Sequence, residues 1–246
     1  MREEIATAWV EIERAVREAE ARAHRPQGSV SILAVTKRQP FQRVQEFCSI
    51  QREHGRPLLL GENYVQEFEG KREELMAAAV GASLEVHMVG PLQRNKVRRA
   101  LQLFDCIQSV HSLPLLDEIA KEATRSGRVA SVFLQVNVSE EPQKSGFLPR
   151  EVVSVLQHAE QHQAVVALKG LMAIPKYFED PEGARPEFRK LNVLRSSLLD
   201  SDAGQRLLSG GCLLSMGMSG DFPVAIEEGA DLIRIGSRLF GERVSS

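Results

Sequence analysis

The stretch Val30, Ser31, Ile32, Leu33, Ala34, Val35, Thr36, followed at once by Lys37, decides the fold. It carries no charge and is rich in aliphatic residues, so it reads as a buried strand that hands its next side chain to a pocket mouth. Outward from it, short apolar runs alternate with amphipathic charged stretches to the end of the chain. Further strands are expected at 58–61, 84–89, 106–110, 131–138, 164–172, 211–216 and 232–235, with helices between them. Strand-helix repetition builds a parallel sheet, and eight strands in 246 residues favour a single closed (β/α)8 TIM-type barrel over a doubly wound sheet.

Ile5, Trp9, Ile12 and Val16 recur at helical spacing, which predicts an extra N-terminal helix covering the body of the barrel, with the tryptophan as a packing residue. A short closing helix is expected at 237–243 and a loop at 175–186. No linker or low-complexity segment divides the chain, so one domain over 1–246 is expected. Hydrophobic residues make up 43% and charged residues 26%, with a net charge of −2, which gives no electrostatic case for nucleic acid or an anionic membrane. The run Arg94, Asn95, Lys96, Val97, Arg98, Arg99 has no interleaved aromatics and reads as a solvated helix face. Cys48, Cys106 and Cys212 are odd in number and far apart, which points to a reduced cytoplasm and no zinc site. The start of the chain lacks an apolar h-region, and no apolar run is long enough to span a membrane.

A lysine amine at a strand tip can be partly desolvated, which disfavours the ammonium and lets the neutral amine attack an aldehyde. Near the C-terminus, the stretches from Leu213 to Asp221 and from Leu232 to Ser237 are apolar strands opening into glycine and serine. Small residues let backbone N–H groups approach an anion, and a following helix aims its positive end at the same point. Two such segments suggest one shared phosphate, although Gly217, Gly220 and Gly236 taken singly would serve tight turns equally well. A lysine nucleophile beside a phosphate cradle suggests pyridoxal phosphate (PLP).

In a barrel of this type the polar residues just beyond each apolar run form the candidate site. Asn63 is placed to hydrogen-bond a ring hydroxyl or orient the lysine, while Glu62 and Tyr64 could cap the next helix. His87 reads as a core histidine, Asn137 faces the pocket if strand alternation holds, Lys144 is a second cation or a turn residue, and Met172 is core. Arg234 lies between Ile233 and Ile235 inside an apolar strand. If it faces a pyridine nitrogen, that nitrogen cannot hold a proton, because arginine stays charged and brings no acceptor. An unprotonated pyridine is a poor electron sink, which suits storage or narrow chemistry better than transamination.

With these residues assembled, the chain closely resembles the pyridoxal phosphate homeostasis protein family, the YggS/PROSC-like proteins of the alanine racemase N-terminal barrel type. The matching blocks run in order from Ala34, Val35, Thr36, Lys37 through Gly61, Glu62, Asn63, Tyr64, then His87 to Lys96, Lys144 to Gly146, Gly170 to Pro175, Leu214 to Ser219, and Arg234 to Gly241. The resemblance implies a fold-type III barrel with PLP held as a Schiff base on Lys37. It implies a phosphate held by Ser215, the Met216 backbone, Gly236 and Ser237, and Arg234 at the ring nitrogen. It further implies a cytoplasmic carrier or regulator in vitamin B6 homeostasis and amino-acid balance, without efficient turnover. PLP-dependent enzymes are then the recipients, and a monomer or weak dimer the expected state. Two departures stand out: Gln39 replaces a lysine frequent in the family, and Val86 a frequent aromatic.

The first rival is a PLP-dependent amino-acid racemase. Two-sided proton transfer needs a base on each face of the substrate, and this chain ends at Ser246 just after the barrel with only Tyr64 and Tyr177 as tyrosines. A Schiff-base aldolase and a ligand-independent interaction role are the others; the first predicts a colourless protein trapped by borohydride only with substrate present.

Overall fold

In a computed structural model, which describes residues 1–241, eight parallel strands close into a barrel whose order follows the chain. They are β1 (Ser31–Val35), β2 (Leu58–Glu62), β3 (Leu84–Met88), β4 (Cys106–Val110), β5 (Ala130–Val136), β6 (Val166–Ala173), β7 (Leu213–Met218) and β8 (Leu232–Ile235). The first pairs with the last in register, Ser31 to Leu232 through Ala34 to Ile235. Every expected apolar run holds a strand, and β6 begins at Val166, later than the run itself.

Outside the barrel lie α1 (Arg2–Arg22), α2 (Phe41–Glu53), α3 (Val65–Ala78), α4 (Val97–Leu103), α5 (Leu113–Ser126), α6 (Val152–Ala159), α7 (Arg185–Leu199), α8 (Asp202–Leu207), α9 (Phe222–Glu227) and α10 (Ser237–Phe240). The expected 175–186 loop is shorter than read, because Pro181–Ala184 forms a 3-10 turn and α7 already starts at Arg185 with Pro186 in its first turn. The expected closing helix is seen as α10; residues 242 and 243 of that expectation lie outside the described residues.

Helix α1 buries Ile5, Trp9, Ile12 and Val16. Trp9 packs against Phe47 of α2 in a tilted pair at 5.1 Å, and Phe47 meets Phe240 of α10 edge-on at 5.7 Å. Burying each large aliphatic side chain is worth about 1.5–3 kcal/mol. The Glu20 carboxylate, also buried, accepts from the backbone N–H groups of Gly28 and Val30 at 3.0 Å, so the same helix fixes how the chain enters β1.

The barrel lumen is not uniformly apolar. Leu33, Val89 and Leu232 form one small cluster and Cys106, Phe133 and Met172 another. The lumen also holds the side chains of His87, Gln108, Ser215 and Arg234, all buried and joined by hydrogen bonds. At the mouth, the pairing of β7 with β8 shifts between Ser215 and Met218. Gly217 sits there at φ 90°, and an added Cβ would come within 2.6 Å of Ala225, so only glycine fits.

Candidate functional site

At the C-terminal end of the barrel, Lys37, Asn63, Arg234, Gly236 and Ser237 line one cavity of about 220 Å³, together with Val35, Val89, Ile174, Met218, Ser219 and Gly220. That volume lies below the roughly 300–1,000 Å³ of drug-sized sites and suits a single-ring ligand. Two of the sequence-derived residues are not on this wall. Ser215 and Met216 are fully buried, and β7 reaches the cavity instead with Met218, Ser219 and Gly220 beyond its bulge. The Ser215 hydroxyl donates to Gln108 Oε1 at 2.6 Å and accepts from Arg234 Nη1 at 2.8 Å.

Lys37 follows β1 by one residue, and the layer beneath it is an ionic knot. The Thr36 hydroxyl donates to Glu62, whose carboxylate lies 2.6 Å from Lys71 Nζ; Lys71 also donates to the Thr36 carbonyl at 3.1 Å. Burial pushes the Glu62 carboxyl above its ordinary range against the opposing pull of Lys71. The knot ties α3 to the ends of β1 and β2 and so fixes the backbone from which Lys37 projects. On the other side of β2, Gly90 packs onto the backbone of Asn63, where a Cβ would meet the Asn63 carbonyl at 2.4 Å. Asn63 Oδ1 is buried without a hydrogen-bond partner.

Arg234 is buried in the cavity floor. Its guanidinium donates to the Ser215 carbonyl at 2.7 Å and the Ala173 carbonyl at 2.8 Å, and it has no ion pair among the described residues. Burial pushes it down to about 10, so it remains a cation at neutral pH, with Asp221 as its electrostatic neighbour. Below it the chain of bonds continues: Gln108 Nε2 donates to His87 Nδ1 at 2.6 Å, and His87 Nε2 donates to Glu85 at 2.7 Å. The His87 bond holds the Glu85 carboxyl below its ordinary range. His87 is thus a bonded lumen residue, and Gln108 a positioning residue that only its place inside an apolar strand could have flagged.

Asn63, Val89 and Ile174 also form one wall of a second cavity of about 260 Å³, which Gln135, Asn137, Lys144 and Ser145 complete. Lys144 pairs there with Glu141 at 2.7 Å. Tyr64 and Tyr177 line neither cavity and are exposed, with Arg38 over the Tyr64 ring at 5.5 Å. No described helix is long and apolar enough to cross a membrane.

An amine, a buried cation without a carboxylate, an orphaned amide oxygen and a rim of glycine and serine form a donor set that fits a phosphorylated aldehyde with a ring nitrogen. Comparison with known proteins agrees in kind. Residues 11–244 match the model of the alanine racemase N-terminal domain. The pyridoxal phosphate homeostasis protein of Aquifex aeolicus is 40% identical, with 90% of this chain and 91% of that protein covered. The human pyridoxal phosphate homeostasis protein is 32% identical over 86% of this chain and 76% of its own length. PipY of Synechococcus elongatus, solved with PLP bound, superposes with a TM-score of 0.72 at 33% identity, covering 92% of this chain and 99% of that one.

Proposed function

We propose, because the chain belongs to the pyridoxal phosphate homeostasis protein family within the broader family of the alanine racemase N-terminal domain, that it binds PLP in the mouth cavity and serves as a carrier and regulator of that cofactor. The Lys37 amine condenses with the PLP aldehyde as one water leaves, forming an imine. The phosphate lies against Ser219, Gly220, Gly236 and Ser237, where Ser219 Oγ already accepts from the N–H groups of Gly236 and Arg238 at 3.4 Å. Small side chains there let an anion approach the backbone closely, and α10 starts at the same point. The orphaned Asn63 oxygen accepts from the ring hydroxyl. Ser215 acts one layer below, holding Arg234 rather than touching phosphate.

When bound, PLP supplies an electron sink whose strength depends on protonation of its ring nitrogen. Arg234 faces that nitrogen as a donor and leaves it unprotonated. Carbanion chemistry is then weak, and holding and releasing the cofactor, which sets free PLP and through it vitamin B6 and amino-acid balance, is the role that remains. The observation that carries this reading is the convergence of Lys37, Arg234 and the two glycine-serine rims on one cavity.

The test is spectroscopic. The purified protein is expected to be yellow, to lose its visible band on borohydride reduction, and to gain the mass of one reduced cofactor on the peptide that holds Lys37. Lys37→Ala should fold and stay colourless. A visible band that survives in Lys37→Ala, or a label on another lysine, would overturn the assignment.

A further inference from the structure

On the outer helical layer, away from both mouth cavities, three side chains converge that the proposed function does not use. Asp117 comes from α5, His158 from α6, and His162 from the 3-10 turn Glu160–His162 that prolongs α6. The histidines are four residues apart, a spacing that puts both on one helix face. Both aim their Nε2 atoms at the same carboxylate oxygen: His158 at 2.6 Å and His162 at 2.9 Å from Asp117 Oδ1. The three atoms lie within 4.8 Å of one another.

We propose that Asp117, His158 and His162 form a divalent transition-metal site that clamps α5 to the end of α6. An ion such as Zn²⁺ takes its ligands at about 2.0–2.1 Å, which sets tetrahedral ligand–ligand separations of roughly 3.3 Å. The two histidine–carboxylate separations need only to open by tenths of an ångström to admit one. Two imidazoles and a carboxylate select Zn²⁺, Co²⁺, Ni²⁺ or Cu²⁺ over Mg²⁺ and Ca²⁺, which prefer all-oxygen shells. As ion pairs the contacts would be worth little, since Asp117 is 47% exposed and His158 30%. The same exposure gives an ion a way in and leaves an open position for water.

One side chain beside the ligands can support them once it is displaced. Ligation by Nε2 moves the imidazole proton to Nδ1, which then needs an acceptor. The Gln161 side-chain nitrogen lies 2.9 Å from His158 Nε2 and 3.2 Å from Nδ1, so the amide has to swing off the ligating nitrogen as a metal enters, and only then can its oxygen accept from Nδ1. Competing sites are weak. Cys48, Cys106 and Cys212 are buried with thiols pushed well above their ordinary range, and His87 is committed inside the lumen.

The experiment titrates Zn²⁺ into the full PLP-loaded chain by calorimetry, alongside thermal melts with and without Zn²⁺. One ion per chain is expected, with a melting temperature raised by the metal. His162→Ala and Asp117→Asn should each weaken binding by about tenfold or more and abolish the metal-dependent shift. His54→Ala should leave both unchanged, as should the visible band in every variant. Melts without metal show whether each variant is folded, and His162→Gln serves where alanine is not tolerated. No saturable one-to-one binding, or binding that survives in His162→Ala and Asp117→Asn, would overturn the proposal.

Discussion

Arg185 and Arg234 hold the same group under opposite conditions. Arg185 sits between α7 and α9 with three carboxylates around it: Glu182 at 2.7 Å, Glu227 at 2.7 Å and Glu228 at 3.0 Å. Its charge is already answered, and those bonds raise its pKa above the ordinary range. Arg234 is buried, bonded to two carbonyls and a hydroxyl, and lowered by burial to about 10. A protein removes a cation from water without a counter-charge only at a cost of several kcal/mol. The first arginine staples the outer layer; the second, with Asp221 near but no direct ion pair among the described residues, keeps its charge where a ligand arrives.

Exchanging each arginine for an apolar side chain of similar length sharpens that contrast most. Arg234→Met should weaken PLP binding on the order of a hundredfold, the worth of about 2–3 kcal/mol for a lost charged hydrogen bond. It should also shift the visible band, because the ring nitrogen loses its donor. Equilibrium dialysis and absorbance spectra check both, and an unchanged affinity would break the comparison. Next in size, Gln108→Leu removes the link that joins Ser215 to His87 without touching the cavity. Affinity should fall about tenfold as Arg234 loses its support, and stability should fall by about 1–3 kcal/mol from the buried groups left unpaired, read by urea unfolding.

Arg185→Met should leave the ligand untouched and lower stability by about 1 kcal/mol, or ~2–4 °C in melting temperature for a chain of this size. The last effect is absent at neutral pH and asks whether burial outweighs a nearby charge on a thiol. Cys48 and Cys212 are buried, and burial pushes both thiols up from 9.0 to about 11. A raised thiol pKa means the folded state keeps its proton longer than the unfolded one. The contribution is therefore complete below pH 9 and is lost as pH rises from 9 towards 11. Urea midpoints should decline over that window in the native chain and decline less in the Cys48→Ala, Cys212→Ala double variant.

Much of this was legible in the sequence because parallel barrel strands are buried on both faces and so appear as unbroken apolar runs. Lys37, Asn63, Arg234, Gly236 and Ser237 could be read as neighbours because each lies in or just beyond such a run. The phosphate rim was less legible: the register shift at Gly217 carries the cavity wall from Ser215 and Met216 on to Met218, Ser219 and Gly220, and a lone glycine does not announce a bulge. Lys71 was hidden because a lysine on a charged helix looks solvated until the fold brings it to Glu62. Gln108 stands in full view inside β4, yet its partners come from β3 and β7, and no local pattern links them. The same holds for Asp117 and the two histidines, which meet only when α5 and α6 pack.

The lone indole of the chain stands at the far end of an aromatic relay. Trp9 touches Phe47, Phe47 touches Phe240, and Phe240 ends the short helix whose first residue, Ser237, rims the cavity. A chromophore seated at that rim can quench indole emission by energy transfer, and any tightening of the last helix changes the ring's surroundings. With no second tryptophan to dilute it, fluorescence excited in this protein is a native gauge of occupancy.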